Sequence, residues 1–420
     1  MVDPLQIPSE YKSEVSTVMR SYLTVWRLPS APVLLLSGFA GRLPSSMVPL
    51  ALLLMVQRQT GSYAMAGGVS ATYGIATALI APVLGRLADR RSPRIVLFAQ
   101  SAVYPLLLAT MALVVLSGAP APALFAAAAA VGASTPLVAG TVRTLWSRVD
   151  PRMRPTAYAL DATVTELVFV AGPTLVALLA LVASPSIALE IAGVLGVAGA
   201  LGIAMSGPMR AWRPVPAGRR PLFATVRTPG MPRVLISGSA LMLGIGALEV
   251  AVPAFADAAG SPGISGLLLA VWALGSAGGG LWFGARMVSA SLPRQYRWGL
   301  LGVTIGLAPL AAVSSPWVLG ALLFLGGTAI APTLTVQSSL VGSIAPASAT
   351  TEAFTWLSTV AFGASAIGAA VGGSLIESSA GVAGALVMAT IAAALAVAVT
   401  LLPGRRPELP AAPRREVVHA

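Results

Sequence analysis

LLLSGFAGRLPSSMVPLALLLM, residues 34–55, reads as a membrane-crossing helix with one contradiction near its centre, the guanidinium of Arg42. About 20 mostly apolar residues cover the hydrocarbon core of a bilayer, and this run supplies them. An arginine at that depth costs about 2.5–3.5 kcal/mol on insertion scales. Arg42 therefore has to face protein rather than lipid, with an acid within reach.

The rest of the 420-residue chain has the same character. It is 56% hydrophobic and only 10% charged, with a mean hydropathy of +0.85. A soluble domain needs far more surface charge, so lipid is the solvent for most of this chain. The net charge of +12 would suit a nucleic-acid binder. The basic residues, however, fall in short clusters between apolar runs rather than along one face, so nucleic acid is not an expected partner. There is no cysteine, the only histidine is His419 and the only lysine is Lys12. These absences remove disulfides, thiolate or histidine metal centres and a lysine-dependent phosphate loop, and no metal or cofactor is expected.

Apolar runs of spanning length occur at 31–56, 63–84, 94–117, 121–143, 155–182 and 185–206, then at 233–256, 263–285, 297–314, 316–338, 352–375 and 381–402. We number them spans 1 to 12. The sequence thus predicts an all-α integral membrane protein of 12 transmembrane helices in two pseudo-symmetric six-helix bundles. The short alternating strands of a β-barrel are not present in the pattern. With the first 30 residues placed in the cytoplasm, 24 of the 26 basic residues fall on the inner side, leaving Arg58 outside and Arg42 in the bilayer. Positive charge is retained on the cytoplasmic side of inserted loops, so both termini are expected there, in an inner (plasma) membrane. Residues 1–30 lack the short apolar core of a signal peptide and read as a cytoplasmic arm, with Trp26 and Arg27 at the interface. The Pro-, Gly- and Arg-rich interval 207–232 reads as a linker between bundles at 31–206 and 233–402, and 403–420 as a tail.

The bundles resemble each other. A shift of 200 residues aligns Pro32, Leu35, Ser37, Gly38, Ala40, Leu43 and Ala51 with Pro232, Leu235, Ser237, Gly238, Ala240, Leu243 and Ala251. Span 2 matches span 8 through Gly67/Gly266, Ala71/Ala270 and Gly85/Gly284. Such parallel repeats build many transporters.

The segment after span 2, GRLADRRSPR at 85–94, resembles the signature between helices 2 and 3 of the major facilitator superfamily. Gly85, Asp89, Arg90 and Arg94 occupy its positions, while Ser92 and Pro93 depart from it. The resemblance implies a cytoplasmic latch against span 11, which opens with TTEAF, so that Glu352 is expected to face Arg90. The alternative is that these arginines only set topology. The corresponding segment after span 8 keeps Gly284 without an acid, making the latch one-sided. Within the superfamily the chain resembles twelve-helix drug/proton antiporters of the actinobacterial kind. Gly172-Pro173 of span 5 resembles their helix 5 motif in part, and otherwise marks a kink with close packing. Arg143 in TVRTLW resembles their helix 4 arginine.

Arg42 can then be assigned a partner. Deep acids are few: Asp161 and Glu166 on span 5 and Glu249 on span 7, with Glu190 and Asp257 near outer ends. The family fold makes spans 1 and 5 neighbours, so an Arg42–Glu166 pair is expected, serving either as a static brace or in coupling. Asp161 lies about 7.5 Å nearer the cytoplasm and about 140° round the helix; it is better placed for Arg143 or the loop than for Arg42, and is assigned to the cytoplasmic gate. Glu249, with no base on its own helix after Arg233, becomes the proton-carrying candidate or an acid facing the outer vestibule. Arg42 aligns with Met242 and Glu249 with Pro49, so the charges break the repeat.

The resemblance implies a monomeric, proton-coupled exporter of a small apolar or cationic molecule, with the bilayer, a small-molecule substrate and protons as partners. Trp272, Trp282, Phe354 and Trp356 are expected beside the central cavity. The rivals are a nutrient importer on the same fold, disfavoured because the chain has no Asn and few deep Gln, and a non-transporting scaffold or sensor. No arrangement of nucleophile and base suggests an enzyme.

Overall fold

The computed structural model describes residues 22–402 apart from 29, 183, 214–220, 222, 262–263 and 287–289. Most of the expected arm, the tail at 403–420 and part of the linker therefore lie outside the described residues. Within these limits the chain is helical, and no strand occurs among the described residues.

Span 1 is Ala31–Thr60, span 2 Tyr63–Arg90, span 3 Pro93–Leu116, span 5 Arg154–Val182 and span 6 Pro185–Ala204. In the second half, span 7 is Met231–Ala258, span 8 Ser265–Gly284, span 11 Thr350–Glu377 and span 12 Gly381–Leu401. Span 4 is two helices, Ala121–Ser134 and Val138–Trp146, and span 10 is likewise Pro316–Gly327 and Ile330–Ile344. Span 9, Leu292–Leu307 with a 3-10 turn at Ala308–Ala312, is the one below the length of the others. Among the described residues, eleven segments are long and apolar enough to cross a bilayer when each broken span is counted once. Many large apolar side chains point outward, including Leu79, Leu106, Leu113 and Ile305. That is expected where lipid replaces water around the bundle.

The break in span 4 has a sequence cause. Pro136 pushes Thr135 into an extended conformation, with φ −53° and ψ 127°. Backbone groups freed inside a bilayer need protein partners. Gln100 of span 3 supplies both: its Nε2 donates to the Thr135 carbonyl (2.7 Å) and its Oε1 accepts from Leu137 N–H (3.0 Å). This deep glutamine is thus structural.

The two halves pack alike. Spans 1·6, 1·5, 2·4, 3·6 and 3·4 adjoin in the first half, and 7·12, 7·11, 8·10, 9·12 and 9·10 in the second. The aligned glycines share this logic, since Gly38 faces Val142 on span 4 and Gly238 faces Gln337 on span 10. Between the halves, span 2 meets span 11 and span 5 meets span 8, while the second pieces of spans 4 and 10 meet spans 11 and 5. Exchanging the halves returns the same set of pairs, as a two-fold relation requires.

Close approach inside each half depends on missing side chains. A Cβ on Gly199 of span 6 would lie 2.2 Å from Gly41 N and 2.3 Å from its Cα, and one on Gly368 would lie 1.9 Å from the Leu243 carbonyl. Small residues substitute for hydrophobic driving force between helices in lipid. Gly67 and Gly363, by contrast, have no atom within 4 Å of such a Cβ. Gly199→Ala should therefore sharply reduce folded yield, since backbone cannot yield. Gly67→Ala should be neutral or stabilising by about 0.5–1 kcal/mol. Fluorescence-detected size exclusion after graded heating compares the two.

Candidate functional site

Arg42 is buried and its Nη2 lies 2.5 Å from Asp161 Oδ1, while Nη1 reaches Thr165 Oγ1 at 3.2 Å. The other Asp161 oxygen, Oδ2, accepts from Arg143 Nε at 3.0 Å. One carboxylate therefore neutralises arginines from spans 1 and 4. The expected Arg42–Glu166 pair is not formed. Side chains on a helix lean toward its N-terminus, and spans 1 and 5 run in the same direction. The long arginine thus reaches a turn toward the arginine-rich end, where Asp161 stands, and Thr165 completes that face one turn on. Asp161 does reach Arg143, but the expectation that it is better placed there than for Arg42 is corrected, since its two oxygens serve both arginines.

Glu166 turns the other way. Its Oε1 accepts from Ser276 Oγ of span 8 at 3.1 Å, across the two halves. Glu249 of span 7 is exposed and lies within electrostatic reach of Glu166. Neither acid has an ion pair among the described residues.

The halves meet at the arginine-rich end and part at the other. Span 11 is buried from Thr350 to Thr355, and span 5 from Thr156 to Ala159. Further along, span 5 buries Val168, Gly172 and Val176, and span 11 buries Ala364, Gly368 and Gly372. That is one residue per turn, on the faces packed against spans 1 and 7. The Phe169–Phe362 ring pair, 6.4 Å between centroids, lies at this transition. A cleft thus opens beyond it, with Glu166 and Glu249 near its floor. Gly172 marks the approach of span 5 to span 1: a Cβ there would lie 1.9 Å from Ser46 Oγ. Ser46 also donates to the Val168 carbonyl at 3.0 Å, in the turn that Pro173 weakens.

At the closed end, span 2 continues as helix to Arg90, so Asp89 sits in its last turns rather than in a loop. Asp89 accepts from Thr351 N–H (3.1 Å) and Glu352 N–H (2.8 Å), capping the exposed donors at the start of span 11. A carboxylate there also meets the positive end of the helix dipole. Gly85 permits the approach, since a Cβ would lie 2.5 Å from Thr355 Oγ1. Glu352 does not pair with Arg90, which is exposed; its neighbours are Thr225 and Arg86. Arg86 precedes Asp89 by three residues and shares its face, whereas Arg90 is turned about 100° away. Arg94 lies over Phe98 of its own helix, 5.4 Å from the ring centroid. In the second half, Gly284 packs against Ala159, and its carbonyl accepts from Thr156 Oγ1 at 2.5 Å. The Tyr22 hydroxyl donates to the nearby Leu281 carbonyl.

Several participants were not read from the sequence. Arg148 lies near Asp89 and stacks 3.5 Å over Trp212. Phe223 packs on Trp356 at 5.6 Å, and Tyr158 on Phe354 at 6.1 Å. The expected aromatic lining is thereby corrected: Phe354 and Trp356 seal the closed end, and Trp282 faces outward under Arg286. Aromatic residues carry no directional signal in a helix that is apolar all round, so their faces were not legible.

Two six-helix lobes joined at one end, parted at the other and carrying acids on both walls define a membrane transporter of small molecules. The chain belongs to the Major Facilitator Superfamily, whose family model matches residues 34–288, more than half its length. No curated protein matches it in sequence. Among solved structures, it is similar to a bacterial homologue of the iron transporter ferroportin in an outward-facing state, at 18% identity and TM-score 0.72, covering 91% of this chain and 98% of that one. It also resembles the human organic anion transporter MFSD10 (TETRAN), at 17% identity and TM-score 0.69, covering 94% and 100%. The outward conformation of FucP, a transporter of the superfamily, follows at 13% identity and TM-score 0.65, covering 91% and 99%. At these identities the likeness is one of fold.

Two predictions follow from the charge geometry. Asp161→Asn leaves buried Arg42 and partly buried Arg143 without their counter-charge and should destabilise the protein by about 3–5 kcal/mol, whereas Glu166→Gln should not; thermal midpoints in detergent compare them. Asp89→Asn weakens the cap on span 11 and should shift the population away from the closed arginine-rich end. Spin labels on cysteines introduced into this cysteine-free chain, one on each lobe at that end, should report a longer mean distance.

Proposed function

We propose that the protein is a proton-coupled exporter that works by alternating access and moves a small apolar or cationic organic molecule out of the cell. The observation that carries this reading is the separation of roles among the deep acids. Asp161 holds Arg42 and Arg143, so Glu166 and Glu249 face the cleft without a basic partner among the described residues. Two such carboxylates attract a cation, and either can take up a proton. Proton and cationic cargo then compete for the same negative charge, which is the thermodynamic requirement of an antiporter.

The basic-residue asymmetry supports placing the arginine-rich end and both termini in the cytoplasm of an inner (plasma) membrane. The described cleft then opens outward, the state in which protons enter and cargo has left. In this reading Asp89 and Glu352, with Gly85 between their helices, form the cytoplasmic gate, and Arg86 and Arg148 surround it in place of the expected Arg90. Arg94 fixes the entry to span 3, and Arg143 ties the gate-side helix of span 4 to Asp161. Gly172 and Pro173 set the approach of spans 1 and 5, as in the drug/proton antiporters that the sequence resembles. The domain scheme of arm, two bundles, linker and tail belongs to the same proposal, as does a monomeric working unit.

The test is dye and antibiotic transport in inverted vesicles under an imposed pH gradient. Wild type should accumulate a cationic substrate when the lumen is acid, and Glu249→Gln should reduce this to background while remaining folded. Full transport by Glu249→Gln with unchanged pH dependence removes that residue from coupling. Cargo leaving the lumen along with protons would establish the importer reading instead.

A further inference from the structure

Spans 2 and 11 run antiparallel and meet across the two lobes at the arginine-rich end. A Cβ on Gly85 would lie 3.1 Å from Glu352 Cα and 2.5 Å from Thr355 Oγ1. Two turns nearer the open end, the Ala78 carbonyl accepts from Thr359 Oγ1 at 2.8 Å. These contacts fix the register, with numbers falling along span 2 as they rise along span 11. Beyond Thr359 no hydrogen bond joins the two helices among the described residues.

The contacting face nevertheless continues. Steps of four, seven and eleven residues stay on one stripe of a helix. Taken from Ala78 and Thr359, they set Gly74 opposite Gly363, Ala71 opposite Ala366, and Gly67 opposite Ala370, with Gly373 on the next turn. Every one of these residues is Gly or Ala. A Cβ on Gly67, Gly74, Gly363 or Gly373 would meet nothing within 4 Å among the described residues. Other glycines of the same helices are occupied inside their lobes: a Cβ on Gly68 would touch Phe125 of span 4, and one on Gly372 would touch Ala247 of span 7. Glycine weakens a helix interior. A second glycine face that touches nothing here calls for a contact made in another conformation.

We propose that this face closes the open end: in the opposite state of the cycle, spans 2 and 11 meet there backbone to backbone, in the register already set at the arginine-rich end. Gly74 then packs on Gly363, and Gly67 on Ala370 and Gly373. The inference rests on the alternating access proposed above, but on neither the cargo nor the coupling ion. Faces of small residues let helix backbones approach closely. They also leave little apolar surface in water while the cleft is open, so the open state is not penalised. The other seam lacks this device. Steps of three and seven residues from Ser276 and Glu166 set Ala273 opposite Phe169 and Leu269 opposite Pro173.

The cysteine-free chain permits a direct test on the full-length protein in proteoliposomes. A disulfide needs Cα atoms about 4.4–6.8 Å apart. Under mild oxidation Gly74→Cys/Gly363→Cys should therefore link, and adding Asp89→Asn, which loosens the arginine-rich end, should raise the linking rate several-fold. Gly74→Cys/Ala370→Cys, two turns out of register, should link at a small fraction of that rate. Spin labels on the open ends of the two lobes report closure independently. Gly74→Phe should keep the wild-type thermal midpoint, because that position touches nothing here, and should abolish the short-distance population that Asp89→Asn produces. Closure seen by the labels without the Gly74–Gly363 link, or closure that survives Gly74→Phe, overturns the proposal; the glycines would then only make room for cargo. Labels that show no short distance in any variant overturn alternating access itself, and this closure with it.

Discussion

The charge of Arg42 has to be cancelled inside the bundle, and the rest of the first lobe is arranged around the carboxylate that does so. Asp161 uses one oxygen for Arg42 and the other for Arg143. It thereby ties spans 1, 4 and 5 at one depth. Span 4 is broken by Pro136 just before the piece that carries Arg143, so that piece needs anchoring from outside its own helix. Gln100 satisfies the break and Asp161 holds the charge. A buried ion pair of this sort adds little net stability against an apolar alternative, but losing one member leaves charge stranded. Its main consequence is positional: with Arg42 engaged, Glu166 and Glu249 remain available to the cleft.

The repeated scaffold and the unrepeated charges answer different requirements. Gly38 and Gly238 face equivalent spans, and Gly85 and Gly284 mark equivalent crossings between lobes. At the first crossing an acid accepts from the free N–H groups that open span 11. At the second, the hydroxyl of Thr156 donates to a carbonyl at the end of span 8, beside the one bonded to Tyr22. Both bonds satisfy backbone groups that a helix end leaves without partners, from opposite polarities. The absence of an acid after span 8 therefore does not leave that crossing bare; the helix end there presents acceptors, which need donors.

Much of this was legible in the sequence because lipid imposes simple rules. Span number, the two-lobe division and the crossing glycines follow from apolar length and repetition. The need for an acid near Arg42 follows from the cost of its charge. The identity of that acid did not follow. Distance along the helix axis favoured Glu166, but the backward lean of a long arginine side chain moved its guanidinium a full turn, to Asp161. The same neglect of rotation about the helix assigned Glu352 to Arg90 rather than to the side of span 2 that carries Arg86. The faces of Trp282, Phe354 and Trp356 were hidden for a further reason. In helices with no polar side to contrast with, periodicity carries no information about which face meets cleft, lipid or protein.

The contacts within lobes and those between lobes differ in kind, and that difference is what lets one set persist while the other breaks. Inside a lobe, spans meet backbone to backbone, as Gly41 meets Gly199 and Gly368 meets Leu243, at separations that exclude water. Nothing replaces such packing once it is lost. Between lobes, many of the described contacts are hydrogen bonds at helix ends or to side-chain hydroxyls: Asp89 to span 11, Thr156 to Gly284, Thr359 to the Ala78 carbonyl and Ser276 to Glu166. Water can take over each of these groups when the arginine-rich end opens, so exchanging them has a small net cost. A transporter must cycle between states of similar free energy, and a seam built from bonds that water can replace meets that condition, as the proposed alternating access requires.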